Sequence, residues 1–199
     1  MSRLFGTDGV RGIANSQLTP KLCFNLGKAG AHVLAGEGKN RPVFLIGMDT
    51  RVSGELLENA ITAGILAVGG NVIKVGVMPT PAVAYLVKHL KADAGVVISA
   101  SHNTFEYNGI KFFNEEGFKL DDSIENAIED IIVRNIEVNT DLIGADIGRC
   151  IDGEANTLEL YKEFLLSTVN YSLSGKNYSD RKSTRRTPVT RESRMPSSA

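Results

Sequence analysis

Near its middle the chain reads Val96-Val97-Ile98-Ser99-Ala100-Ser101-His102-Asn103. Residues 95–98 are apolar and mostly β-branched, which predicts a short, fully buried strand. A hydroxyl placed where such a strand opens into a loop is exposed yet held by a rigid scaffold, which suits covalent chemistry. The alternative is an ordinary turn, because serine and asparagine both favour turns.

Outward from this segment, strand and helix patterns alternate. Apolar runs predict strands at 42–46, 72–75 and 109–113, and a weaker one at 143–151. Helical periodicity follows Thr19 and Ser53, two residues expected to cap their helices, and recurs at 82–90, 124–132 and 156–169. Strands and helices that alternate over short connections predict an α/β fold with a largely parallel sheet.

Composition narrows the class of protein. The 42% hydrophobic content of 199 residues is enough for a packed core, and the length favours one or two domains. Cys23 and Cys150 lie far apart in no metal-binding spacing, so neither a zinc site nor a disulfide framework is indicated, and Cys23 is expected in the core. No run is long enough to cross a membrane, and no apolar leader opens the chain, so a cytoplasmic protein is expected.

The charges are unevenly placed. Residues 176–199 hold seven Lys and Arg against two acidic residues, whereas residues 1–175 are net acidic. An acidic body argues against a nucleic-acid partner. The terminal segment has few sizeable apolar residues and is predicted to be disordered.

Two segments have the composition of anion-binding loops. Gly6, Gly9 and Gly12 surround Thr7 and Arg11, and glycines let a backbone approach an anion that Thr and Arg can bind. Arg51 follows the strand at 42–46, and ligands collect at the carboxyl ends of strands in open α/β sheets; Asp49 is placed to orient it. The alternatives are a plain loop for the first and a surface Asp–Arg pair for the second.

Together these motifs resemble the α-D-phosphohexomutases, over roughly residues 1–175. The resemblance rests on four blocks: Phe5-Gly6-Thr7-Asp8-Gly9-Val10-Arg11-Gly12, Gly47-Met48-Asp49-Thr50-Arg51-Val52-Ser53-Gly54, Gly76-Val77-Met78-Pro79-Thr80-Pro81-Ala82-Val83-Ala84-Tyr85, and Ile98–Asn103 with Asn108-Gly109-Ile110-Lys111-Phe112-Phe113. It implies that 1–150 form domain I of that family, an α/β domain with a mostly parallel mixed sheet flanked by helices. Residues 151–175 then form a linker helix toward domain II, before which the chain is expected to be truncated. Residues 176–199 are expected to be an aberrant basic tail, with a reading-frame change and a mis-assembly as the two hypotheses for its origin.

The resemblance also implies a chemistry. Phosphohexomutases move a phosphoryl group between the C6 and C1 hydroxyls of a sugar through a bisphosphate, and here Ser101 is expected to carry it, with Ser99 as the competing candidate. The other implied catalytic residues are Lys111, Arg11 and His102, and the implied phosphate-binding residues are Thr7, Arg51 and Asn103. Because adjacent residues of an extended segment point oppositely, His102 is not expected to act on Ser101 itself.

Cofactor and partners follow from the same resemblance. Mg²⁺ is implied, with phosphorylated Ser101 as one ligand and the acidic loop that supplies the others missing from the sequence. The implied substrate is a phosphorylated amino sugar, and the chain is expected to be inactive alone. The alternatives are a relative acting on glucose or mannose phosphates, and a non-enzymatic α/β module that binds phosphate or self-associates through an exposed domain interface.

Overall fold

The computed structural model describes residues 3–36, 41–151 and 156–169. The strands are β1 (Val10–Ile13), β2 (Val43–Met48), β3 (Asn71–Val77), β4 (Ala94–Ile98), β5 (Tyr107–Asn114) and β6 (Cys150–Ile151). The helices are α1 (Pro20–Gly36), α2 (Gly54–Ala67), α3 (Thr80–His89), α4 (Asp122–Val133) and α5 (Thr157–Ser167). The predictions made for residues 176–199 lie outside the described residues.

The six strands form one sheet in the order β1-β5-β4-β2-β3-β6. Neighbours are parallel from β4 through β2 and β3 to β6, whereas β5 runs antiparallel to both β4 and β1. The predicted mostly parallel mixed sheet is therefore confirmed. All five residues of β4 are buried, as its uninterrupted apolar sequence predicts for a central strand.

Helices cover both faces of the sheet. On one face, α1, α2 and α4 bury a core whose largest side chains include Phe44, Leu57, Ile61 and Phe112. On the other face, α3 packs Val83, Leu86 and Val87 against the sheet. Cys23 is fully buried in the first core, as expected, and burial raises the pKa of its thiol to about 12.

Local sequence signals explain most helix starts. The Thr19 hydroxyl accepts a hydrogen bond from the Leu22 amide at 3.2 Å, so the predicted cap of α1 is confirmed. The predicted side-chain cap at Ser53 is wrong, because its Oγ accepts a hydrogen bond from the Asn108 amide group at 2.9 Å instead.

The strand predicted at 143–151 is largely wrong. A 3₁₀ turn occupies Gly144–Asp146, and only Cys150–Ile151 pair with β3. The Gly148 amide donates instead to the Leu66 carbonyl in the last turn of α2 at 3.0 Å, so this part of the chain does not lengthen the edge strand.

The chain divides into two compact units, 1–161 and 162–199. The sheet and α1–α4 all belong to the first unit. In the described part of the second unit, α5 ends at Ser167, where the hydroxyls of Ser167 and Thr168 donate to backbone carbonyls one turn earlier. Within the described ranges, no helix combines the length and the apolar character needed to span a bilayer.

Candidate active site

The serine loop, residues 99–106, leaves the carboxyl end of β4. Because β2 and β4 are parallel and in register, with Met48 opposite Ile98, the segment after β2 lies beside this loop. The Asp49 amide donates to the Ile98 carbonyl at 3.0 Å, which ties the two strand ends together. The sheet thus brings two of the sequence motifs to one edge, as expected for a ligand site in an α/β fold.

The two candidate serines have different surroundings. The Ser99 hydroxyl donates to Asp49 Oδ2 at 2.7 Å and accepts the Ser101 amide at 3.1 Å, so both its roles are taken by the protein. The Ser101 side chain is exposed, and the contact that the described residues give its Oγ is His102 Nδ1 at 3.4 Å. The hydroxyl available to an outside group is therefore that of Ser101.

The backbone displays Ser101 in an unusual conformation. Its φ is 55°, in the left-handed region that few non-glycine residues adopt and that costs about 1–2 kcal/mol. The loop is therefore not extended at this point, and the argument that His102 must point away from Ser101 is wrong. The 3.4 Å separation is nevertheless long for a hydrogen bond.

Arg51 directs its guanidinium group into the serine loop. Its Nε donates to Asp49 Oδ2 at 3.0 Å, and its side chain is only 8% exposed. The two Nη atoms donate, over 2.6 to 3.1 Å, to the backbone carbonyls of Ser101, Asn103, Thr104 and Tyr107.

Arg11 and Lys111 form a second cationic group on the same edge. Arg11 on β1 lies opposite Gly109 on β5, which places Lys111 diagonally across from it on the same face of the sheet. A Cβ built on Gly109 would lie 2.7 Å from the Ser99 carbonyl oxygen and 3.0 Å from Arg11 Cγ. The stem of Arg11 and the start of the serine loop therefore meet over this glycine.

Asp8 lies between the two cations, a partner that the sequence reasoning did not single out. Its carboxylate accepts Lys111 Nζ at 3.3 Å and an Arg11 Nη at 3.2 Å. The only sequence signal for this bridge is the three-residue spacing to Arg11, because Lys111 is more than a hundred positions away. The Arg11 Nε is buried without a hydrogen-bond partner among the described residues, which leaves a cationic donor unsatisfied there.

The remaining predicted residues surround these groups. Thr7 is exposed in the tight turn that the Gly6 amide closes on the Gly9 carbonyl at 3.0 Å. Asn103 is half-buried, and its amide donates to the Ala100 carbonyl at 3.1 Å within the serine loop. The structure thus collects the predicted residues in two groups.

The bridge predicts how Asp8 titrates. The hydrogen bond from Lys111, then the charges of Lys111 and Arg11, hold the pKa of Asp8 below its ordinary 3.8, with a smaller contribution from His102. Because the pKa is lower in the folded state, this pairing stabilises the fold above the ordinary value and is lost as the pH falls through the folded pKa. We expect Lys111→Gln to raise the Asp8 pKa toward 3.8, measured by carboxyl NMR titration.

A matched control is Lys88→Gln, which breaks an exposed pair with Glu116 at 2.6 Å. We expect this control to leave the Asp8 pKa unchanged. An Asp8 pKa that is the same in wild type and Lys111→Gln would contradict the bridge.

The described residues do not by themselves form a metal site. Within these ranges no three His, Cys, Asp or Glu side chains come together where they could hold an ion. Asp49 and Asp8 are both engaged by cationic side chains. A metal at Ser101 would therefore need ligands from outside the described residues.

Comparisons with known proteins find close relatives of this chain. The chain is 56% identical over 176 residues to the phosphoglucosamine mutase of Ruminiclostridium cellulolyticum, covering 88% of this chain and 39% of that protein. It is 57% identical over 175 residues to the phosphoglucosamine mutase of Clostridium novyi, covering 88% of this chain and 38% of that protein. The chain thus spans about two fifths of the length of these curated relatives.

A solved structure supports the fold alone. A phosphoglucomutase/phosphomannomutase family protein from Burkholderia thailandensis superposes with a TM-score of 0.68 at 21% identity, covering 85% of this chain and 36% of that one. The family described as phosphoglucomutase/phosphomannomutase, alpha/beta/alpha domain I, matches residues 2–139. The chain therefore belongs to the phosphoglucomutase/phosphomannomutase family, of which it carries the α/β/α domain I.

Proposed function

We propose that this chain is the serine-bearing domain of a phosphoglucosamine mutase, in which Ser101 carries the phosphoryl group exchanged with glucosamine phosphates. The observation that carries the proposal is the contrast between the two serines of the loop. Ser99 is bonded on both sides, whereas the Ser101 hydroxyl is exposed on a rigid turn.

The transfer itself needs a positioned oxygen and compensated charge. The bond from the Ser101 oxygen to phosphorus forms as the bond from phosphorus to the sugar oxygen breaks. The serine proton leaves to a base, and the departing sugar oxygen takes up a proton. Enzymes that transfer phosphoryl groups act largely through positioning and electrostatic stabilisation, so nearby cations are the main requirement.

Arg11 and Lys111 are the side chains proposed for charge compensation. Both point to one face of the sheet, and the buried, unpartnered Arg11 Nε is a donor that an incoming phosphate oxygen would satisfy. In the resting state Asp8 neutralises part of their charge. A phosphoryl group would compete with Asp8 for the same cations.

Proton transfer is assigned to His102 or Lys111. His102 Nδ1 is the nearer group to the Ser101 oxygen, at 3.4 Å. Thr7, which is exposed in its turn, and Asn103 are proposed to bind phosphate oxygens. The family generally depends on Mg²⁺, for which the Ser101 oxygen is the candidate ligand of this chain.

The choice of an amino sugar rests on the relatives. Family members act on phosphorylated sugars, and curated relatives at 54–57% identity are named phosphoglucosamine mutases. Since these relatives are covered to only about two fifths of their length, the whole mutase reaction remains a proposal for this chain.

The test is direct phosphorylation of the full chain. Purified protein is incubated with Mg²⁺ and glucosamine 1,6-bisphosphate, and parallel samples receive the glucose and mannose bisphosphates. The chain alone is not expected to turn over substrate, but a single transfer to the serine does not require the full catalytic cycle. We therefore expect one phosphoryl group per chain by intact mass, located at Ser101 by peptide mapping, with fastest labelling by the amino sugar. Ser101→Ala should abolish labelling.

Other outcomes would overturn specific parts of the proposal. Phosphate on Ser99 would reverse the assignment of the two serines. Faster labelling by a glucose or mannose bisphosphate would favour the alternative substrates. No label on a chain that is folded by circular dichroism would exclude Ser101 as a phosphoryl carrier in this chain and favour the non-enzymatic module.

A further inference from the structure

We infer that Arg51 is a positioning residue, which uses all its guanidinium donors to hold Ser101 in its left-handed conformation, and is not itself a phosphate ligand. This inference rests on the proposed function only in naming Ser101 as the group that is positioned. It changes the role that the sequence resemblance implied for Arg51.

The first observation concerns the hydrogen-bond donors of the Arg51 guanidinium group. An arginine side chain has five N–H donors in a planar fork and no acceptor. Here Nε–H binds Asp49, and the Nη atoms bind the carbonyls of three loop residues and of Tyr107, the first residue of β5. Every donor therefore has a protein partner, and a phosphate oxygen would have to displace one of them.

The second observation is that the Arg51 side chain is more deeply buried than the other two cationic side chains. The Arg51 side chain is 8% exposed, compared with 27% for Arg11 and 28% for Lys111. Arg51 lies beneath the loop, whereas the other two cations are open to solvent. A ligand that arrives from solvent therefore meets Arg11 and Lys111 first.

The third step is the geometry that the fork imposes. One Nη binds the carbonyls of Ser101 and Asn103, on either side of His102, and the other binds Thr104 and Tyr107. Carbonyls that converge on one point require a tightly curved backbone. The hydrogen bonds that impose this curvature offset the free-energy cost of the positive φ at Ser101.

Asp49 fixes the fork from the other side. One carboxylate oxygen accepts both Arg51 Nε and the Ser99 hydroxyl, and the other accepts the Arg51 backbone amide at 3.0 Å. Through Ser99, the same carboxylate is linked to the Ser101 amide. Asp49, Arg51 and Ser99, the loop clamp, therefore hold Ser101 from both its amide and its carbonyl.

The clamp can be tested in the full chain without any turnover. In wild type we expect the Arg51 Nε and Nη protons to give resolved NMR signals that exchange slowly with water. Added inorganic phosphate should leave these signals in place, while it shifts those of Arg11. Rapidly exchanging Arg51 protons, or Arg51 signals that move with phosphate, would overturn the inference.

Variants separate fork geometry from charge. Arg51→Lys keeps the charge but cannot reach five partners, so we expect it to behave like Arg51→Gln. In both, the hydrogen-bonded amides of Ser101, Asn103 and Tyr107 should exchange about tenfold faster or more, because charge-assisted bonds to the loop are lost. Arg134→Lys, at an exposed pair with Asp130, is the matched control and should leave these rates unchanged.

The possible outcomes of these experiments lead to different conclusions. If Arg51→Lys keeps wild-type exchange in the loop, charge alone is sufficient and the clamp is wrong. If an Arg51 variant does not fold, the exchange rates of the wild-type Arg51 guanidinium protons still test the loop clamp. Absence of Ser101 phosphorylation in wild type, with slow Arg51 protons, would refute the proposed function and leave the clamp intact.

Discussion

Gly9→Ala is expected to destabilise the chain by about 2–4 kcal/mol, because backbone strain and overpacking combine at this position. Gly9 has a φ of +85°, and a Cβ there would lie 2.2 Å from the Ile110 carbonyl oxygen and 3.1 Å from Lys111 Cα. The contacting atoms belong to the β5 backbone, so no side chain can rotate away. We expect β1 to separate from β5, and the Asp8 carboxylate to leave Lys111.

Two measurements check this expectation. Chemical denaturation gives the loss of stability, and carboxyl NMR should show the Asp8 pKa returning toward its ordinary value. Gly6→Ala is the matched control in the same turn, because its Cβ would come no closer than 3.5 Å to another atom, and we expect a change within about 0.5 kcal/mol. Equal stability of the Gly9 and Gly6 variants would refute the close approach of the two strands.

Gly64→Ala is expected to cost about 3 kcal/mol or more, at the upper end of overpacking effects. Gly64 is buried in α2, and a Cβ there would lie 2.0 Å from the Phe24 carbonyl oxygen and 2.9 Å from the Lys28 amide of α1. Gly27 of α1 makes the reciprocal approach, with a Cβ position 2.2 Å from the Ile61 carbonyl oxygen. The two helices therefore touch backbone to backbone, and an added methyl group must push them apart.

The expected readout is a fall in melting temperature of about 6–12 °C, from the usual relation for a chain of this size. Gly36→Ala is the control within the same helix pair, because nothing lies within 4 Å of its Cβ position, and alanine there should stabilise the helix by up to about 1 kcal/mol. If Gly64→Ala melts at the wild-type temperature, α1 and α2 do not pack as closely as described.

These glycines show what sequence patterns predict and what they do not. Helical periodicity after Ser53 predicts α2, and position 64 lies on its apolar face with Ile61 and Ile65, so its burial follows from that periodicity. That it must be glycine depends on the distance to α1, which periodicity does not encode. The sequence interprets Gly9 as a residue that lets the backbone approach an anion, whereas in the structure Gly9 lies against the backbone of β5.

The candidate site likewise combines features that local sequence patterns predict with features that only the fold determines. The strand–loop boundary at Ile98 and the motifs around Arg11 and Arg51 are local patterns, and the fold brings them to one edge of the sheet. The weak strand predicted at 143–151 is largely wrong, because only Cys150–Ile151 pair with β3.

What the sequence by itself determined is the α/β class, the central buried strand and the set of polar side chains at its end. These follow from hydrophobic periodicity and turn chemistry, which are properties of short segments. Only the tertiary structure decided which serine hydroxyl is free, where the Arg51 donors go, and that Asp8 joins Arg11 to Lys111. The physical reason is that hydrogen-bond partners such as Asp49 and Ser99, 50 positions apart, are chosen by the register of the sheet.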